Sequence, residues 1–423
     1  MDNLEQISLK YKNLELQLKI AERNYRTTGN NDDLLKATEK YSDTIINNNL
    51  IKILHDIPVK DTDFITTERI KHLNLSFIKY QAPKTLLLEL DKEEKILRKI
   101  RKSINKIDYE IKLKYIIKLR NLIAKELGFK DYLELQALLY GFDPTILQNK
   151  ILKEKSIIYK NYDNYINIDP KINLNIINVN LKRESQYDLS LRTLNRIGLD
   201  VKNSSLIFDI EPSTSKVGLG AVVDIEIPNE ISIIINPIDG LAAFASVFMH
   251  ELGHAYYYSN IDDKLPYELK KPYNSTIDEG IALFFEKIIF SEEWFSTFLN
   301  QDYQKYNIKE CFQIPNLICC MHFENEIYKN PDESYDLLWK RYLDEYCYES
   351  NNDWINHHFF VSAPGYTSSY LNGELFASSL KDYFINGYGS LLNTKVSSFL
   401  IENILNHGKL LDMNSLLKKI NFL

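Results

Sequence analysis

The chain has little of what breaks or staples a backbone. Glycine (14) and proline (12) are sparse among 423 residues. That argues against a turn-rich β architecture and favours long helices. Cysteine is scarcer still: Cys311, Cys319, Cys320 and Cys347 are the only four, and none has CxxC spacing. An adjacent pair such as Cys319 and Cys320 rarely bridges to itself, so free buried thiols in a reducing compartment are expected. Neither sign of charge dominates. Lysine and arginine total 51 against 58 acidic residues, mixed throughout to a net charge of −7. Without a basic stripe or a long acidic block, neither a nucleic-acid partner nor a disordered charged arm is expected. No uninterrupted apolar run reaches membrane-spanning length. The opening MDNLEQISLKYKN lacks the basic-then-apolar layout of a signal peptide. A cytoplasmic protein without a membrane partner is the expectation.

What is present is a globular composition. With 44% hydrophobic and 26% charged residues, the chain can bury a sizeable core. Residues 1–27 carry a helical stripe of Leu4, Ile7, Tyr11, Leu14, Leu18 and Ala21. Further helices are expected over 33–54, 65–80 and, as a pair, 86–127. In Arg120–Gln136, Gly128 suits a helix end and Asp131 the start of the next, which makes a helix–turn–helix corner. Residues 157–190 read as loops and short strands. Leu206–Phe208, Ala221–Ile227 and Ile231–Ile235 are rich in β-branched residues, and Ile227-Pro228-Asn229-Glu230-Ile231 supplies a turn. A small β element at about 205–236 is therefore predicted. Helices follow over 241–259, 276–290, 315–328, 335–348, 366–384, 391–405 and 413–420. The fold class is mainly α.

Chemistry enters at Phe248–Tyr258, FMHELGHAYYY. His250 and His254 are four apart, hence one helical turn apart on one face, and can offer two imidazoles to one ion. Glu251 stands beside them as a base next to an open coordination position, the pattern of a zinc hydrolase. Gly253 is small, as close approach to an ion requires. A third protein ligand is needed. Position 260 is Asn, and Tyr273 and Asn274 lie where a thermolysin-like glutamate would stand. The next candidate is Glu279, in a helix opening at Ser275. Glu286 lies two turns further on the same face and could accept a hydrogen bond from a ligand histidine. Asp278 is the competing ligand, with helix capping or first-turn dipole compensation as its simpler role.

With these residues in place, the chain resembles the gluzincin metallopeptidases of the thimet oligopeptidase and oligoendopeptidase F family. Its relatives are the carboxypeptidase Taq-like and angiotensin-converting-enzyme-like peptidases. HELGHAYYY at 250–258 and DEGIALFFE at 278–286 carry the resemblance. So do FENEIY, LLWKRYLDEY, Trp354, HHFF and Gly365-Tyr366 in the family's order, and the RNLIAKELGFKDYLELQ corner.

The resemblance implies a mostly helical, two-lobed ellipsoid with a deep cleft and one zinc ion at its floor. An N-terminal helical lobe would span 1–200 and an intertwined catalytic lobe 201–423. It also implies a transition-state role for His358, Tyr366 and Tyr370, whose N–H and O–H groups can donate to a developing oxyanion. The chain departs from the pattern in being short for an oligopeptidase. It also has Ala282 and Leu283 where the family often has Ser-Gln. The carboxypeptidases' Gln-Asp-x-His-Trp element is absent at His358. The expected activity is zinc-dependent hydrolysis of short, unstructured peptides by an oligoendopeptidase. A carboxypeptidase on the same scaffold and a non-catalytic peptide-binding relative are the alternatives.

Overall fold

A computed structural model describes residues 2–47, 50–58, 62–100, 103–151, 181–199, 204–300, 308–346, 353–357 and 359–422. His358 and residues 157–180 of the stretch read as loops lie outside the described residues, but its end is not loop: Arg183–Ile197 is a helix. Internal contacts divide the chain into two compact units. One is formed by Met1–Asn74, Asp169–Ile308 and Gly373–Leu423, the other by Leu75–Ile168 and Lys309–Asn372. The units alternate along the chain. The first unit shows why. The helix Asp2–Thr28 buries its stripe at Leu4, Ile7, Tyr11, Leu14 and Ala21. Its Leu16 packs on Val223, Ile225 and Ile234, residues distant in sequence. An apolar face must be covered wherever the cover lies in the chain.

That cover is a three-stranded sheet in the order β1-β3-β2, with β1 at Leu206–Asp209, β2 at Gly220–Glu226 and β3 at Glu230–Ile235. β2 and β3 form the predicted antiparallel hairpin, and Ile227–Pro228 at its turn is cis. β1 adds to β3 in parallel, a pairing the sequence did not announce. β3 is buried from Ile231 to Ile235. A strand covered on both faces needs no polar alternation, which accounts for isoleucine at 231, 233, 234 and 235. Leaving the sheet, the chain turns at Gly240 (φ 118°) into a helical stretch. Leu241–Ala243 is α-helical, Phe244–Met249 has the wider π turn, and His250–Asn260 returns to α geometry. Single π turns are frequent next to functional sites.

The second unit is helical. It includes Lys84–Ile100, Lys106–Glu126, Tyr132–Tyr140, Tyr335–Tyr346 and Phe359–Ser362, and most of Ile308–Lys329. The corner at 127–131 is built as its residues suggest. Gly128 takes a left-handed φ of 85°, and the Asp131 side chain accepts the Glu134 N–H at 3.0 Å. The helix Tyr366–Tyr388 starts in this unit and continues into the other. Among the described residues, no helix is long and apolar enough to cross a membrane.

Candidate metal centre

The centre is made where two helices of the first unit touch. His250 and His254 project from one face of the motif helix, with ring centroids 4.9 Å apart. The helix Ser275–Ile289 starts at Asn274, whose side chain accepts the Ile277 N–H at 2.8 Å. Its approach depends on Gly253, where a Cβ would stand 2.5 Å from Ala282 Cα. The smallness of Gly253 therefore serves the neighbouring helix backbone, not an ion as the sequence suggests. A second pair of glycines repeats the device. A Cβ on Gly280 would meet Phe376 at 2.6 Å, and one on Gly373 would meet the Thr276 carbonyl at 3.0 Å and Glu279 Cβ at 3.2 Å. The helix bearing Glu279 is thus in close backbone contact at Gly253 and again at Gly373.

The ligand atoms converge. The Nε2 atoms of His250 and His254 are 3.2 Å apart, and Glu279 Oε2 lies 3.6 Å and 3.9 Å from them. Tetrahedral zinc with bonds of about 2.0–2.1 Å sets its ligand atoms roughly 3.3 Å apart. The histidine pair already has that spacing, and a small rotation of Glu279 would complete it. Among the described residues this is the one group of three such side chains with ligand atoms that close together.

Each histidine is held from behind. His250 Nδ1 lies 2.7 Å from Glu286 Oε1, and His254 Nδ1 lies 2.7 Å from Asp278 Oδ1. With the Nδ1 protons donated to these carboxylates, both Nε2 lone pairs face the shared point. Asp278 also accepts the Tyr258 hydroxyl at 2.8 Å. The helix is capped by Asn274, so Asp278 is occupied in orienting His254 rather than in capping. Burial opposes protonation of His250, yet the Glu286 carboxylate holds its pKa above the ordinary value. Burial likewise opposes protonation of His254, but Asp278 and then Glu279 push it up to about 10. The site is an anionic cradle that favours a positive charge at the two imidazoles. A divalent cation answers that demand, and the donor set fits zinc.

Glu251 is next to the cradle. A Cβ at Gly220, the first residue of β2, would come within 2.8 Å of both Glu251 Cγ and Oε1. Only glycine lets the sheet edge lie this close to the base. Burial raises the Glu251 pKa, with the two histidines opposing.

No protein-family model and no curated protein matches the chain. Solved structures do. An M32 carboxypeptidase from Deinococcus radiodurans R1 aligns over 100% of this chain and 96% of its own, with a TM-score of 0.80 at 13% identity. A carboxypeptidase from Pyrococcus furiosus aligns over 99% and 95%, with a TM-score of 0.79 at 15% identity. A protein assigned to oligoendopeptidase F, from Bacillus anthracis, aligns over 97% and 92%, with a TM-score of 0.58 at 13% identity. The chain shares the fold of these carboxypeptidase and oligoendopeptidase structures. Its mainly helical build and small sheet are those of that fold.

Two further residues singled out from the sequence, Tyr366 and Tyr370, lie in the second unit. Tyr366 and Tyr370 occupy the first turns of the helix Tyr366–Tyr388, with rings 5.9 Å apart and both half-buried. The Tyr366 ring also meets Phe359 at 4.9 Å and Tyr140 at 6.4 Å. Sequence reasoning missed the part played by Asp278 and Tyr258. A signal was available: if Glu286 backs one histidine, the other needs a carboxylate of its own, and Asp278 is the neighbouring candidate.

Proposed function

We propose that the chain hydrolyses peptide bonds in short, unstructured peptides, using one zinc ion held by His250, His254 and Glu279, and that it acts as an oligoendopeptidase. The observation that carries this is the convergence of three ligand atoms beside Glu251, with a carboxylate behind each histidine. When bound there, zinc supplies Lewis-acid polarisation of the scissile carbonyl and lowers the pKa of coordinated water towards neutrality. Glu251 takes the proton of the attacking water and passes it to the leaving amine. Glu286 and Asp278 keep the imidazoles aimed. Tyr366, Tyr370 and His358 donate to the oxyanion in this reading. The free edge of β2, starting at Gly220 against Glu251, offers backbone groups to an extended substrate.

A carboxypeptidase is the second reading, and one observation favours it. Such an enzyme grips the substrate's terminal carboxylate with a cation. The charge of Arg26, on the helix Asp2–Thr28, reaches Glu251 and works against its raised pKa. The high TM-scores to carboxypeptidases add support from the fold.

Incubation of a random peptide pool, with mass spectrometry of the products, tests both. The expected result is internal cleavage of short peptides that stops with a chelator and returns with zinc. Stepwise loss of C-terminal residues, blocked by C-terminal amidation, would favour the second reading. Chelator-resistant cleavage, or none with zinc restored, would refute the zinc mechanism.

A further inference from the structure

The second unit contains a buried charge that the peptidase chemistry does not use. Arg120 is 1% exposed and lies in the helix Lys106–Glu126. A guanidinium has five N–H donors, and here all five are engaged. Nε and Nη2 donate to Glu94 Oε1 at 3.0 Å and 2.8 Å. Nη1 donates to the Tyr328 hydroxyl and to the Phe360 carbonyl, both at 2.8 Å. Nη2 also donates to the Val361 carbonyl. Neutralising Glu94 would occupy only two of these donors. Two others hold backbone carbonyls of the short helix Phe359–Ser362, where cations are favoured by the unsatisfied C=O groups of the last turn.

A second buried group holds the same link at its other end. Glu324 is 1% exposed, and its Oε1 accepts the Gly365 N–H at 3.0 Å. Gly365 has φ of 78°, and a Cβ there would stand 3.0 Å from Gln136 Cβ. Tyr366 follows at once and opens the next helix. The Gly365 end of the link borders open space. Gly365 and Ser368 line a cavity of about 750 Å³ whose wall includes Glu134, His322, Glu326 and Tyr342. Phe360 and Val361 are buried, and the polar anchors add to that packing at the two ends of the link.

We infer that Arg120 and Glu324 are positioning residues. From two different helices they fix the two ends of the 360–365 link and so set where Tyr366 and Tyr370 stand for the reaction. The inference rests on the proposed peptidase reading. Glu324→Leu removes the acceptor at similar volume, Glu324→Gln keeps an acceptor oxygen, and Arg120→Lys keeps the charge with fewer donors. For each variant, kcat and KM on a fluorogenic peptide, bound zinc, and amide hydrogen exchange over 359–370 would be measured.

Loss of one oxyanion donor costs about 10²–10³ in kcat, so misplacement in Glu324→Leu is expected to cost roughly 10–100-fold. KM and zinc content should stay near wild type, and exchange over 359–370 should quicken. Glu324→Gln should recover most of the rate, whereas Arg120→Lys should resemble the leucine variant. A folded, zinc-loaded Glu324→Leu with wild-type kcat or unchanged exchange would overturn the inference. If that variant does not fold, Arg120→Lys carries the decision by the same two readouts. A wild-type chain that cleaves no peptide would refute the peptidase reading instead, and the exchange rates would still decide whether the anchors hold the link.

Discussion

Glu251 stands between an anionic cradle and a sheet edge, and its chemistry can be separated from the metal's. Glu251→Gln keeps the shape and removes the base. Hydrolysis is expected to fall by about 10²–10⁴ while one zinc is retained, because general acid–base catalysis contributes on that order. Wild-type turnover in this variant would end the proposed role. Asp278 is separable in the opposite sense. Asp278→Asn should weaken zinc about 10–100-fold, the usual cost of losing a partner behind a ligand, as measured by competition with a chromogenic chelator. The same carboxylate makes His254 hold its proton to about pH 10 in the metal-free chain. Zinc uptake at neutral pH must therefore release protons, and affinity should rise with pH.

Glu324 makes a stability prediction. Burial, opposed by the Gly365 N–H and Arg120, raises its pKa from 4.5 to about 7. The folded chain then holds a proton that the unfolded chain has lost between those values. The stability linked to that proton is full below about pH 4.5 and is lost as pH rises through about 7. Between pH 4.5 and 8 the unfolding free energy of Glu324→Gln should gain roughly 3 kcal/mol relative to wild type. Parallel denaturant titrations of the two would show it. Equal pH dependence would mean that Glu324 is ionised at neutral pH.

At the scale of elements, the metal centre depends on a helix contact with no room for a methyl group. Gly253→Ala puts a Cβ against Ala282 Cα. Overpacking of this kind costs about 1–3 kcal/mol. Here it should also displace Glu279, so zinc affinity should drop along with thermal stability. A fully stable, zinc-replete Gly253→Ala would contradict the close contact. This contact also marks the limit of what the sequence discloses. The motif helix, the glutamate helix, the hairpin and the 127–131 corner were all legible, because periodicity, β-branching and capping residues are local signals. The histidines and Glu251 were legible because helical spacing alone places them together. Gly253 was assigned to the wrong neighbour, since the residue it makes room for lies on another helix. The parallel pairing of β1 with β3 and the five hydrogen bonds of Arg120 were hidden for the same reason: their causes lie far away along the chain.

For the molecule as a whole, the zinc is expected to contribute to stability as well as reaction. A ligand that binds only the folded chain stabilises it by about 2.7 kcal/mol at a hundredfold excess over its Kd. Removing zinc with a chelator should therefore lower the thermal midpoint by several degrees, and adding zinc back should restore it. An unchanged midpoint would show that the folded chain does not bind zinc in preference to the unfolded one.

The alternation of the two units along the chain has a consequence for biosynthesis. A ribosome that has passed Glu286 has already made His250, His254, Glu279 and both carboxylates behind the histidines. Gly373, which packs on the helix bearing Glu279, belongs to the last segment of that unit and is not yet made. At ordinary elongation rates this interval lasts roughly 5–15 seconds. During it the nascent chain carries a set of metal-seeking side chains without the helix that holds Glu279 in place. Metal captured then would meet a looser site than the finished protein offers, and folding helpers or metal supply in the cell would act most strongly within that interval.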